Sequence, residues 1–334
     1  MTFQQLRIPL NYSNTTSYIR LLSKFSSARL ESIFTVPYAT KNFNDDSVKV
    51  KVVQGDWWQE IIQCKPDALV LPTVRILEQH GYEILHQLAR KLPLFLHEYG
   101  QPIKNVSAFD LYKERHELMT HIFTHGRKYQ SQLVAKGFSV PSTITGASKS
   151  DLYRDLPLFE RPTDKPYLVY CNSVSHVAMY NKSDSQPEKW VEILELSCRL
   201  AGYELVIKLH PHSYYQFRDA SWRKKVYFNA YTADLFRGAA GIISDPSSLF
   251  IEGLLAEKPL FMPSLNVNEW SYLKNISQLI RILTEDTVQN SSIIKKTIEE
   301  FSLTKKYISA KNAYWHNADG MSSARIWQKI LAVK

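Results

Sequence analysis

A chain of 334 residues (38.7 kDa) exceeds one ordinary core and suits two domains of about 150 residues each. Its 44% hydrophobic and 22% charged residues exclude wholesale disorder and a fibrous repeat, and no apolar run reaches the ~18 residues of a membrane span. The net charge of +9 points to an anionic partner, but residues 1–155 carry 19 Lys+Arg against 14 Asp+Glu and the remainder 22 against 18, so there is no basic arm.

The opening MTFQQLRIPLNYSNTT lacks the basic start, apolar stretch and cleavage site of a secretion signal. Three scattered cysteines, Cys64, Cys171 and Cys198, form neither a disulfide framework nor a zinc knuckle. A cytoplasmic protein is expected. Signatures of sequence-specific nucleic-acid binding are missing, so nucleic acid is not an expected partner.

Along the chain, strands are predicted over 31–38, 48–53, 68–72, 92–97, 121–125 and 142–145, with helices over 83–91 and 129–137. The polar, proline-bearing stretch 154–166 marks a domain boundary. The second half alternates more clearly. Strands over 167–171, 204–209, 225–229, 241–244 and 259–263 are interleaved with helices over 187–201, 232–239 and 247–257. Pro187 opens the first of these helices and Gly202 follows it, where a left-handed residue ends a helix well. From about 286 the tail reads as helical. Short apolar strands alternating with helices predict α/β architecture: two Rossmann-like, doubly wound parallel-sheet domains facing a cleft, 1–155 and 156–334, the latter with C-terminal helices.

Ligands of such sheets bind beyond the carboxyl ends of the strands. Three strand ends carry chemistry. Lys208, His210 and Pro211 lie at the end of one strand, where a lysine with a histidine offers charge-assisted donors to a phosphate, unless the histidine merely closes the strand through a backbone hydrogen bond. Ser244, Asp245, Pro246, Ser247 and Ser248 lie between a strand and a helix, where hydroxyls and free N–H groups either hold an anion or simply cap the helix. Glu252, one turn on, either accepts from ribose hydroxyls or is an ordinary solvent-exposed helix glutamate. In the other half, His97 or Glu98 at a strand end could take a proton from an acceptor hydroxyl, with Gly100 permitting close approach. Glycine-rich dinucleotide and Walker motifs, the serine-hydrolase elbow and metal-ligand spacings are all missing, so neither a cofactor nor a metal is expected.

These motifs resemble the GT-B glycosyltransferase superfamily, and most closely the CDP-glycerol glycerophosphotransferases that build teichoic acids and capsule polymers. YELVIKLHP (203–211) resembles that family's strand ending in Lys-x-His-Pro. ADLFRGAAGIISDPSSLFIEGLLAEKP (233–259) resembles its Asp-Tyr-Ser-Ser segment, with Pro246 in place of tyrosine. GQPIK (100–104) resembles the motif after its acceptor-side histidine, and TGASKSDLY (145–153) the motif closing its N-terminal domain. The family's Trp-His-Gly falls on Glu98-Tyr99-Gly100, which leaves Glu98 or the adjacent His97 as base, because a tyrosine with pKa near 10 is a poor base. Its Pro-Thr-x-Arg falls on Asn172-Ser173-Val174-Ser175. Bacterial CMP-sialic acid and Kdo transferases share the plan, and Glu98-Tyr99-Gly100, His210-Pro211 and Ser247-Ser248 resemble their three motifs.

The resemblance implies metal-independent transfer from a cytidine-activated donor to a hydroxyl of a cell-surface polysaccharide or lipid-linked acceptor. It implies catalysis by His97 or Glu98 with His210, and donor binding by Lys208, Pro211, Asn172, Ser173, Asp245, Ser247, Ser248 and Glu252. Gly100, Gln101 and Lys104 are implied for the acceptor, and the basic surplus for peripheral contact with an anionic membrane. Two alternatives stand beside it: a silent relative that binds a polysaccharide or partner enzyme, and a nucleotide-sugar epimerase.

Overall fold

In the computed structural model the described residues are 63, 67–71, 74, 81–98, 113–154, 162–171, 187–208, 232–245, 247, 249–264 and 276–332, with the backbone of strands 2–7, 29–34 and 48–52. The chain divides into two compact units, Met1–Asp155 with Asn312–Lys334, and Leu156–Lys311. The sequence reading ran the second domain to residue 334, whereas residues 312–334 pack with the first unit.

Among the described residues the first unit has seven strands: β1 (Thr2–Arg7), β2 (Arg29–Phe34), β3 (Val48–Val52), β4 (Ala68–Leu71), β5 (Leu94–Leu96), β6 (His121–Thr124) and β7 (Ser142–Ile144). They form one sheet in the order β3-β2-β1-β4-β5-β6-β7. Every pairing is parallel. Beside them lie helices α1 (Gly81–Ala89), α2 (Lys113–Glu117) and α3 (Arg127–Ala135). Leu69, Leu71, Leu94, Leu96 and Ile122 of the strands form one core with Leu85 and Leu88 of α1 and Tyr129 and Leu133 of α3. Those residues recur every second position on strands and every third or fourth on helices, the two periods that bury one face of each element. β1 was not expected, because TFQQLR reads as polar, yet it lies at the point where the strand order reverses.

In the second unit the strands are β8 (Tyr167–Cys171), β9 (Glu204–Lys208), β10 (Gly241–Ser244), β11 (Leu260–Pro263) and β12 (Ile280–Leu283). They form a five-stranded sheet ordered β12-β11-β10-β8-β9, again parallel throughout. The helices are α4 (Pro187–Leu200), α5 (Thr232–Gly238), α6 (Leu249–Gly253) and α7 (Thr287–Glu299), with α8 (Lys305–Trp315) and α9 (Ser322–Ala332) completing the chain. Trp190, Val191, Leu194 and Cys198 of α4 and Ile294 of α7 pack on Leu168, Tyr170, Leu205, Ile207, Ile243 and Phe261. Helix α4 starts at Pro187 and ends as the sequence predicts: Gly202 has φ +89°, and the Tyr203 N–H donates to Cys198 O at 2.9 Å. The predicted strand at 225–229 lies outside the described residues, and β12 was not anticipated.

Residues 312–334 are bound to the first unit by specific chemistry. The Asp151 carboxylate accepts from the N–H groups of Ser322 (3.0 Å) and Ser323 (2.8 Å), capping the start of α9. Arg325 Nε donates to Thr145 O at 2.8 Å. Gly146 has φ +82°, and a side chain there would strike Ser322. A Cβ on Gly126 would sit 2.6 Å from the Ala313 carbonyl oxygen, so glycine is needed for α8 to end against it.

Candidate active site

Each unit carries a cluster at the carboxyl ends of its strands. In the second unit the strand order reverses at β8, with β9 on one side and β10 to β12 on the other. Such a reversal opens the crevice in which α/β sheets hold ligands. Lys208, Cys171 and Ser244 end β9, β8 and β10 in a single register row. Asp245 follows directly and is 4% exposed, as is Glu252 of α6. The Tyr170 hydroxyl donates to Asp245 Oδ1 at 2.8 Å, which fixes that carboxylate.

Electrostatics tie this row together. Burial pushes the Cys171 thiol well up; Lys208 opposes that shift, while Glu252 and Asp245 add to it. Burial lowers the Lys208 ammonium to about 8, with Cys171 pulling the other way. A lysine lowered to about 8 is still charged at neutral pH, and a bound anion would stabilise that charge further. Ser247 Oγ accepts from the Leu249 N–H at 3.1 Å and lies 3.2 Å from Ser244 Oγ. It therefore caps a one-turn helix, α6, that passes directly into a 3₁₀ turn at Leu254–Ala256. Lys208, Asp245, Ser247 and Glu252 are thus brought to one sheet edge; Asn172, Ser173, His210, Pro211 and Ser248 lie outside the described residues.

In the first unit, His97 and Glu98 follow β5, and His125 follows β6. The His97 ring, 5% exposed, meets the His125 ring edge-on with centroids 5.2 Å apart. Burial lowers His97 to about 4; a backbone hydrogen bond to Gly146 opposes this and the nearby Lys149 charge adds to it. His97 is therefore a neutral imidazole at neutral pH. Burial likewise holds His125 well below its ordinary value, with His97 and Lys149 contributing. Glu98 is only partly buried, and its carboxylate adds to the upward shift that burial gives the Tyr129 phenol. Gly100, Gln101 and Lys104 lie outside the described residues.

Sequence reasoning missed four residues here. His125 ends a predicted strand and was open to the same rule that singled out His97. Lys149 sits in the quoted TGASKSDLY motif, its Nζ 5.2 Å from the Trp315 ring centroid. Trp315 and Tyr170 carry no local signal, since what they touch is 190 and 75 positions away along the chain. Among the described residues no group of three or more His, Cys, Asp or Glu is placed to hold a metal ion. None of their helices is long and apolar enough to cross a membrane.

No family model matches the sequence, and no curated protein matches it either. Solved structures do. The chain is similar to the wall teichoic acid polymerase TagF, with a TM-score of 0.69 at 12% identity over 99% of this chain and 88% of that one. A variant of that polymerase soaked with CDPG gives 0.71 at 13% over 100% and 88%. The UDP-GlcNAc 2-epimerase of Methanocaldococcus jannaschii, in complex with UDP-GlcNAc and UDP, gives 0.67 at 12% over 99% and 100%. At these identities the likeness is one of fold, and the fold is GT-B: two Rossmann-like units, each on a parallel sheet.

Proposed function

We propose that the chain is a GT-B transferase that moves a glycosyl or alditol-phosphate group from a cytidine-activated donor, of the CDP-glycerol kind, to a hydroxyl of a cell-surface polysaccharide or lipid-linked acceptor. The main support is the row formed by Lys208, Cys171 and Ser244 at the reversal point of the second sheet, flanked by buried Asp245 and Glu252. A lysine at one end of the row and two buried carboxylates toward the other suit a nucleotide, whose phosphate takes the lysine and whose ribose hydroxyls donate to the acids. The likeness to a polymerase soaked with CDPG favours a cytidine donor.

The acceptor belongs to the first unit in this reading. Glu98 takes the proton of the attacking hydroxyl, and the oxygen forms a bond to phosphorus of a CDP-alditol or to the anomeric carbon of a CMP-sugar. CMP leaves in either case, with its bonding electron pair, and Lys208 with His210 neutralises the charge that develops on it. The basic surplus of the chain fits an acceptor displayed at an anionic membrane surface.

The test is release of CMP from CDP-glycerol, and separately from a CMP-sugar, with and without a glycosyl or polyol-phosphate acceptor. Release that requires the acceptor is expected. Release of UDP from UDP-GlcNAc without any acceptor would instead indicate epimerase chemistry, the second reading that the fold permits.

A further inference from the structure

The strongest unabsorbed feature is the fully buried histidine of the first unit. His125 Nε2 lies 2.6 Å from the carbonyl oxygen of Glu98. A carbonyl only accepts, so Nε2 carries the proton and donates it, which fixes the neutral tautomer. The ring is 0% exposed, and its Nδ1 has no hydrogen-bond partner among the described residues. It stacks on Trp315, centroids 5.7 Å apart and planes 13° from parallel. Tyr129 closes another side edge-on at 5.9 Å, and His97 the next at 5.2 Å. The imidazole is thus clamped on three sides by aromatic rings and holds one main-chain atom.

That atom belongs to the residue after His97, whose own N–H donates to Leu71 O at 2.9 Å. The backbone carrying both acceptor-side candidates is therefore held from two directions: by β4 through the His97 amide, and by His125 through the Glu98 carbonyl. We propose that His125 is a positioning residue for the acceptor-side base, holding the Glu98 main chain in place while Trp315, from the returning C-terminal segment, holds the imidazole. This rests on the transferase reading for its catalytic consequence, but not for its geometry. With no exposed surface, His125 acts through Glu98 and touches no substrate. A displacement of about 1 Å at a reacting group costs up to about a hundredfold in rate.

The experiment compares His125→Leu, which removes the donor, with His125→Gln, whose amide restores one near the Nε2 position. CMP release from CDP-glycerol is followed with donor affinity and thermal midpoint, and hydrogen exchange is read on fragments ending at Glu98. For His125→Leu we expect kcat to fall about ten- to hundredfold, with donor Kd unchanged and the His97 amide, bonded to Leu71 O, exchanging at least about tenfold faster. His125→Gln should recover most of both losses. Unchanged exchange in His125→Leu, or exchange that His125→Gln fails to restore, overturns the proposal. So does an unchanged kcat in an active protein. If the wild-type protein releases no CMP from any donor, the transferase reading fails separately, and the exchange data alone decide whether His125 holds this backbone.

Discussion

Replacing Lys208 by methionine is expected to lower turnover about a hundredfold while leaving the fold intact. The substitution keeps the unbranched stem of the side chain, one atom shorter, and removes the charge that offsets the departing phosphate, a loss of about 3 kcal/mol of barrier in a dry site. Wild-type activity carries the matching pH signature. The ammonium is lowered to about 8 chiefly by burial, so in the free protein it is charged below that pH and neutral above it. Donor capture should therefore be full at pH 7 and decline as the pH rises through about 8, seen as an alkaline limb in kcat/KM. Bound phosphate favours the ammonium, so the corresponding limb in kcat should move to higher pH. In Lys208→Met the limb near 8 should vanish. A limb that survives the substitution would assign it to another group, and an unaltered rate would remove Lys208 from the donor site.

The second large effect concerns the base. Glu98→Gln is expected to cut kcat by about a hundredfold or more, the usual range for losing a positioned general base, with nucleotide affinity unchanged. His97→Gln should cost less. The imidazole is already neutral at pH 7, since burial holds it at about 4. Accepting a proton would place a cation in a buried site beside Lys149 and a second imidazole, whereas the same proton on Glu98 removes a charge rather than adding one. The measurement is the pair of kcat values at saturating donor and acceptor. A His97→Gln loss exceeding that of Glu98→Gln would reverse the assignment.

Much of the fold is written locally. The apolar runs that became β8, β9, β10 and β11 are short and rich in aliphatic residues, and Pro187 and Gly202 mark the ends of α4 in a way that needs no tertiary information. β1 escaped because a strand paired on both sides need not read as apolar when half its residues are Gln and Arg; its neighbours β2 and β4 supply what its own sequence does not. The return of residues 312–334 to the first unit was illegible for a related reason. It depends on Asp151 finding two N–H groups 171 and 172 positions away, and on glycine at 126 and 146 leaving room.

The same division holds in the candidate site. Reading the strand ends singled out His97, Glu98, Lys208 and Asp245, which lie at the carboxyl ends of β5, β9 and β10. What it missed is the support behind them: Tyr170 on Asp245, His125 on Glu98, and Trp315 on His125. Those contacts are made by ring geometry between distant segments, and no spacing in the sequence encodes them. Ser247 shows the converse, since the residue type suits both an anion and a helix cap, and the bond to the Leu249 N–H supplies the cap.

Calorimetric titration of the purified protein with CMP, CDP and UDP, without added metal, tests the cytidine-donor proposal most directly. The expected result is saturable binding of a cytidine nucleotide in clear preference to UDP, weakened in Lys208→Met and in His210→Ala. Preference for UDP, or no binding of any of the three, would contradict it.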